Sequence, residues 1–193
     1  WSFLWGKGEL ALHGSPDGAF SADAVKPFPV QGHAEGSAQG KDWSATIQNF
    51  STDLSWFAPL LSSPAFSVKE GQVHGDLRLS GTFVDPEIEG SLTVKGLVAL
   101  SSFVRQPLGP VDLPLEFHGH LLKLLPVNVG PRGQKWIATG AATLDHYGIA
   151  SYQFAVQTDS LSTIPAQYEY TGLSAQTDVT GLFQLSGTPQ EMT

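Results

Sequence analysis

Through most of this chain apolar and polar residues alternate one for one. In "GDLRLSG" (75–81), Leu77 and Leu79 fall on one side of an extended strand, and Asp76, Arg78 and Ser80 fall on the other. "GSLTVKG" (90–96) repeats the plan, as do "GELALHG" (8–14) and "GLFQLSG" (181–187). Each stretch predicts a strand with a single apolar face. Between the first two lies "VDPEIEG", where Asp85-Pro86 predicts a turn because proline cannot donate to a ladder. Phe83 extends the apolar side of the outgoing strand, and Ile88, Leu92 and Val94 form that of the returning one.

The same alternation predicts further strands. Leu113, Leu115, Phe117 and Leu121 share a parity against Glu116, His118 and His120. "KWIATGAATL" (135–144) reads as a strand whose inward side is open between Trp136 and Ile137. "SYQFAVQT" aligns Tyr152, Phe154 and Val156, and "TDVTGLFQLSG" aligns Val179, Phe183 and Leu185. "STDLSWFAPLL" instead spaces Leu54, Phe57 and Leu61 as a helix would, behind a capping Asp53, and Pro59 limits it to a turn or two. "DSLSTIP" carries Leu161 and Ile164 as its counterpart, and "QPLGPVDLP" (106–114) predicts a proline-rich connection.

No long helical pattern occurs, so the fold class is all-β and antiparallel-rich, with short helical turns only. A half-apolar sheet must cover its apolar face, and this chain offers no helices for the purpose. Two solutions follow. The sheet closes on itself as a sandwich or barrel, or it curls into a trough whose inside receives something apolar.

A longer repeat overlies the strands. At an offset of 106 positions, Thr52-Asp53 returns as Thr158-Asp159, Pro59 as Pro165, Val73 as Val179 and Leu79–Thr82 as Leu185–Thr188. Self-similarity of this length points to a stacked architecture. It divides the chain into a preceding repeat (1–50), a central one (51–157) and the start of a third (158–193), in one continuous trough. "WSFLWGKGEL" opens in mid-strand and "GLFQLSGTPQEMT" begins another unit, so the chain reads as an internal slice of a longer protein.

Composition sharpens this picture. With 41% hydrophobic and 15% charged residues, the chain is neither disordered nor a membrane bundle. The net charge of −8, with no basic cluster, argues against nucleic acid. The absence of cysteine excludes disulfides, a thiolate zinc site and a cysteine nucleophile. No apolar run approaches the roughly 20 residues that span a bilayer.

Candidate chemistry is sparse. Glu116, His118 and His120 would project from one strand face as plausible zinc or nickel ligands, but no fourth ligand is visible and a solvated outer face accounts for them better. His13, His33, His74 and His146 are scattered singly. No nucleophile elbow, phosphate-binding loop or dinucleotide fingerprint is present. Trp1, Trp5, Trp43, Trp56 and Trp136 suit packing better than a carbohydrate platform, because nothing groups them on one strand. The expectation is a protein without catalytic residues, metal or cofactor.

Residues 67–96, "SVKEGQVHGDLRLSGTFVDPEIEGSLTVKG", resemble the repeated β segments of TamB-like and AsmA-like envelope proteins. Gly71, Val73, Gly75, Leu77, Leu79, Gly81, Thr82, Pro86, Ile88, Gly90, Leu92, Val94 and Gly96 occupy the positions of that repeat. The preceding "DLSWFAPLL" is similar to the short apolar turn found before it. The resemblance is strongest over 52–97 and weak over 1–50, and the closing segment of the family is not recognisable. It implies an elongated, curved β-sheet trough (a "β-taco") with a hydrophobic interior. It also implies a parent protein anchored in the inner membrane of a diderm envelope and crossing the periplasm. The implied work is moving phospholipid between inner and outer membranes, or assisting outer-membrane protein assembly with an Omp85-type partner. Phospholipid acyl chains would then meet Leu77, Leu79, Phe83, Ile88, Leu92, Val94, Leu115, Phe117, Leu121, Phe154, Val156, Val179, Phe183 and Leu185. The rival expectations are a closed β-sandwich or β-solenoid of an adhesin-like surface protein, a glycan-binding domain, and strand addition by an incoming protein segment at an open edge.

Overall fold

The computed structural model describes residues 2–5, 8–25, 29–57, 66–101, 104–130, 135–146, 148–164 and 177–188. At 2–5, 8, 25, 66, 101, 104–106, 108, 159–164, 177–180, 183 and 185 the description covers the backbone alone. Twelve strands follow one another: β1 (Ser2–Trp5), β2 (Gly8–Gly14), β3 (Ala19–Val25), β4 (Val30–Gln39), β5 (Asp42–Asp53), β6 (Phe66–Thr82), β7 (Pro86–Ser101), β8 (Val104–Gly119), β9 (Leu121–Asn128), β10 (Trp136–Asp145), β11 (Gly148–Ile164) and β12 (Thr177–Gly187). They form one antiparallel sheet in sequence order, β1 at one edge and β12 at the other. The fold is an open, curled, all-β trough. All the described strands belong to this one sheet, so no second sheet of the described residues lies face to face with it. The closed-sandwich architecture is not adopted.

β2, β6, β7, β10, β11 and β12 form at the stretches whose alternation predicts a strand, whereas β3, β4 and β5 lie where no strand was singled out, and the turns follow from local chemistry. At the β6–β7 hairpin the Asp85 amide donates to Thr82 Oγ1 at 3.0 Å and the Thr82 amide to the Asp85 carbonyl at 3.3 Å. Pro86 then opens β7, a position that demands no amide donor. At Leu54–Phe57 the predicted helical turn is one 3-10 turn, capped by Asp53, whose carboxylate accepts from the Ser55 amide at 2.8 Å. Those hydrogen bonds hold the Asp53 carboxyl below its usual range.

Three sequence expectations are corrected here. Residues 106–114 are not a connection but part of β8, accommodated by register shifts opposite Leu97 and Ala99. Gly109 permits this with φ +103°, the Leu97 carbonyl filling the space a side chain would need. The "DSLSTIP" counterpart is likewise no helical turn, since β11 runs on to Ile164 after a register shift between Thr158 and Ser162. The third concerns Leu121, whose strand begins after a turn at His120. Its Cα partner is His118, so it lies on the polar face.

Register shifts occur in seven of the strand pairs, from β4–β5 to β11–β12. An extra residue on one strand bends it and increases twist, which is how a sheet this wide curls without a partner layer. Asn49 shows the device in detail: it adopts φ 53° in the β5 bulge, and its amide donates to Asp76 Oδ1 at 2.8 Å. The expected divisions at 50/51 and 157/158 fall inside β5 and β11, and the sheet runs through both.

Candidate functional site: an apolar face without a covering layer

Following Cα partners from strand to strand traces continuous apolar rows. One reads Leu12, Ala22, Ala34, Ile47, Leu77, Gly90, Phe117, Leu122, Ala142, Tyr152 and Gly187 across β2 to β12. A parallel row reads Phe50, Gly75, Leu92, Leu115, Leu124, Gly140, Phe154 and Leu185. The buried residues Ala45, Thr52, Val68, Val73, Val94, Ala99, Ala138, Ala142 and Thr158 share this face. The larger side chains of the same rows are half-buried, and Phe154 is 39% exposed. Neighbouring strands shield the small residues at the sheet surface, whereas the outer parts of the Leu and Phe side chains have no layer above them.

Large and small residues alternate across this face. Phe20 stands opposite Gly36, Trp43 opposite Gly81, Phe117 opposite Gly90 and Phe154 opposite Gly140. A Cβ placed on Gly36 would meet Phe20 Cζ at 2.7 Å, and one on Gly140 would meet the Phe154 ring closer still. Each of these two rings covers backbone that glycine leaves bare, restoring buried apolar contact without raising the floor of the groove.

Most expected lining residues come together. Leu77, Leu79, Ile88, Leu92, Val94, Leu115, Phe117, Phe154 and Val156 share the apolar face. Phe83 sits on the bend after β6, 55% exposed, and stacks on Trp43 with centroids 5.4 Å apart and planes 3° apart. Val179, Phe183 and Leu185 lie on β12 opposite Ser162, Val156 and Phe154, and their side chains fall outside the described residues. Leu121 is displaced by Leu122, which pairs with Phe117 and Ala142. The face also holds Tyr152, aligned by alternation with Phe154 and Val156, and Trp43, Ile47, Phe50, Leu124 and Trp136, which alternation in the best repeats does not single out. For Leu122 and Leu124 the available signal was Gly119-His120, a turn dipeptide that resets parity.

The opposite face is polar. One of its rows runs His13, Ser21, Glu35, Thr46, Arg78, Glu89, His118, Leu121, Thr143 and Ser151. His118 lies 3.5 Å from both Glu89 and Glu116, while His120 faces Asp85 at 3.8 Å. Glu116, His118 and His120 therefore separate into different pairs, and among the described residues no three acidic or histidine groups are placed to hold a metal ion. His33 Nδ1 meets Asp23 Oδ1 at 2.6 Å, and this hydrogen bond, reinforced by Asp23 and Glu35 charge, raises its pKa above the ordinary 6.5. A depression of about 630 Å³ lies over β2 to β6, with His13, Ser21, Glu35, Ser37, Ser44, Thr46 and Arg78 of this polar side in its lining. Phe20, Gly36 and Ala45 also belong to its lining, so this shallow hollow mixes polar side chains with residues of the apolar face. No described helix is long and apolar enough to cross a membrane. No family model, curated protein or solved structure matches the chain.

Proposed function

We propose that this chain is a non-enzymatic groove segment that holds the acyl chains of phospholipid against its apolar face. The observation that carries the reading is an apolar row eleven strands wide, from Leu12 to Gly187, on the face of a single open sheet with no second sheet of the described residues over it. Carrying an acyl chain through water costs about 0.8 kcal/mol per CH₂. For a sixteen-carbon chain that is about 12 kcal/mol, which a continuous apolar surface removes and a few polar contacts do not. Leu, Ile, Val, Ala and Phe suit a conduit because they attract hydrocarbon without fixing its position. None of them needs to react.

The resemblance of residues 52–97 to the TamB-like and AsmA-like repeat supports placing the parent protein in the periplasm, anchored in the inner membrane, with lipid moving between the two membranes. Native mass spectrometry of the purified chain tests the core of this reading, with co-purified phospholipid as the expected result. Leu79→Asp or Leu92→Arg, each placing a charge in the middle of a row, removes the captured lipid while the far-ultraviolet dichroism remains that of a β protein. Equal lipid capture by these variants would overturn the proposal. A second reading, strand addition by a protein segment, is favoured by the unpaired edges at β1 and β12. Isotope-edited infrared spectra of a bound unfolded outer-membrane peptide would show new antiparallel pairing if that reading holds.

A further inference from the structure

The apolar face contains two anomalies, both tryptophans. Trp43 Nε1 and Trp136 Nε1 are buried and have no hydrogen-bond partner. An indole N–H shielded from water almost always finds an acceptor, and an orphan of this kind calls for an explanation. The two lie far apart. Trp43 stands at the start of β5 beside the tight hairpins, opposite Gly81, whereas Trp136 opens β10 at the other end of the strands, opposite Thr158.

Their surroundings explain why no protein acceptor answers. Trp43 is flanked by Ala38 and Gly81 and stacked under Phe83, none of which has a side-chain oxygen. The backbone of Trp136 is held firmly, its amide donating to Asn128 Oδ1 at 2.9 Å and its carbonyl accepting from the Val129 amide at 2.9 Å, so strand pairing fixes the direction of the Cα–Cβ bond and leaves the ring to turn about χ1 and χ2. The Phe83 that covers Trp43 stands on an exposed bend beside Val84, which is 64% exposed. That cover can move without breaking the ladder.

We propose that Trp43 and Trp136 are polar stations on the groove floor, each donating its indole N–H to an oxygen acceptor of an amphiphilic occupant, such as an ester carbonyl. This rests on the acyl-chain reading above and narrows it. The occupant is an acceptor-bearing amphiphile rather than a plain hydrocarbon. Both Nε1 atoms are shielded from solvent, so each meets its acceptor as the indole turns about its side-chain torsions, at Trp43 with the Phe83 bend lifting as well, and the apolar rows hold the chain. Stations at opposite ends of the strands let a bound amphiphile be anchored near either rim.

Two probes of equal chain length separate the ideas: 1-oleoylglycerol, which carries an ester, and 1-octadecene, which has no acceptor. Binding of each is followed by displacement of a fluorescent fatty acid. The two indole Nε1–H resonances are followed in ¹H–¹⁵N spectra of the intact chain, assigned with Trp43→Phe and Trp136→Phe. Both probes are expected to bind, and 1-oleoylglycerol alone should move the two resonances downfield. Each Trp→Phe variant should weaken 1-oleoylglycerol about fivefold relative to 1-octadecene, the loss of one net hydrogen bond. Saturation by 1-oleoylglycerol with both resonances unmoved would overturn the stations and leave the groove standing. So would equal weakening of both probes. Failure of 1-oleoylglycerol to bind would overturn the stations, and failure of both probes would overturn the groove with them.

Discussion

At the scale of single residues, the apolar face is built from pairs in which glycine makes room for a ring. Gly140→Ala would drive a methyl group into Phe154, and overpacking of this kind costs about 1–3 kcal/mol. A urea titration should show that loss, and adding Phe154→Leu should restore part of it. On the polar face the His33–Asp23 contact makes a pH-dependent contribution. A raised histidine pKa means the pairing stabilises the folded chain fully below about pH 6.5, and its contribution disappears as pH climbs through the raised value. Asp23→Asn is therefore expected to lower the melting temperature at pH 6 and leave it unchanged at pH 9. Alternation alone assigned Leu77, Leu79, Ile88, Leu92 and Phe117 to one side, because within a strand parity is a local property.

At the scale of elements, parity survives only as far as the next turn or bulge. Leu121 and Leu122 make the point: one turn at His120 decides which of them joins the apolar row, and the register gives that place to Leu122. Leu122→Asp should then destabilise the chain by about 1–3 kcal/mol, since it sets a carboxylate between Phe117 and Ala142. Leu121→Asp, beside His118, should leave the unfolding midpoint nearly unchanged. The same reasoning covers β8, where "QPLGPVDLP" looked like a connection on composition. Proline and glycine are tolerated there because register shifts opposite Leu97 and Ala99 remove the need for regular pairing. The repeat of 106 positions equals six strands, β5 returning as β11 and β6 as β12. Thr52 and Thr158, equivalent under that offset, are buried alike at 5% and 6% exposure.

At the scale of the whole molecule, one sheet presents its apolar side with no layer of the described chain above it. A ligand that binds this folded face and not the unfolded chain stabilises it by mass action, about 2.7 kcal/mol when present at a hundred times its dissociation constant. Submicellar dihexanoylphosphatidylcholine should accordingly raise the melting temperature in proportion to the logarithm of its concentration. Leu92→Arg should abolish the rise. A melting temperature insensitive to the lipid would place the apolar face outside lipid binding.

The residues by themselves determined an all-β chain, the Asp53-capped turn, and the position and apolar side of the strands written in plain alternation, such as those around Leu77, Leu92 and Phe154. Those properties depend on alternation and turn chemistry within about ten residues. Only the tertiary structure decided between a sheet closed on itself and an open trough, because the same alternating strands satisfy both. Bulge placement, hairpin register and the stacking of Phe83 on Trp43 are long-range outcomes, settled when neighbouring strands meet. The unpartnered indoles of Trp43 and Trp136 belong to that level too: what a side chain lacks becomes apparent only when everything around it is in place.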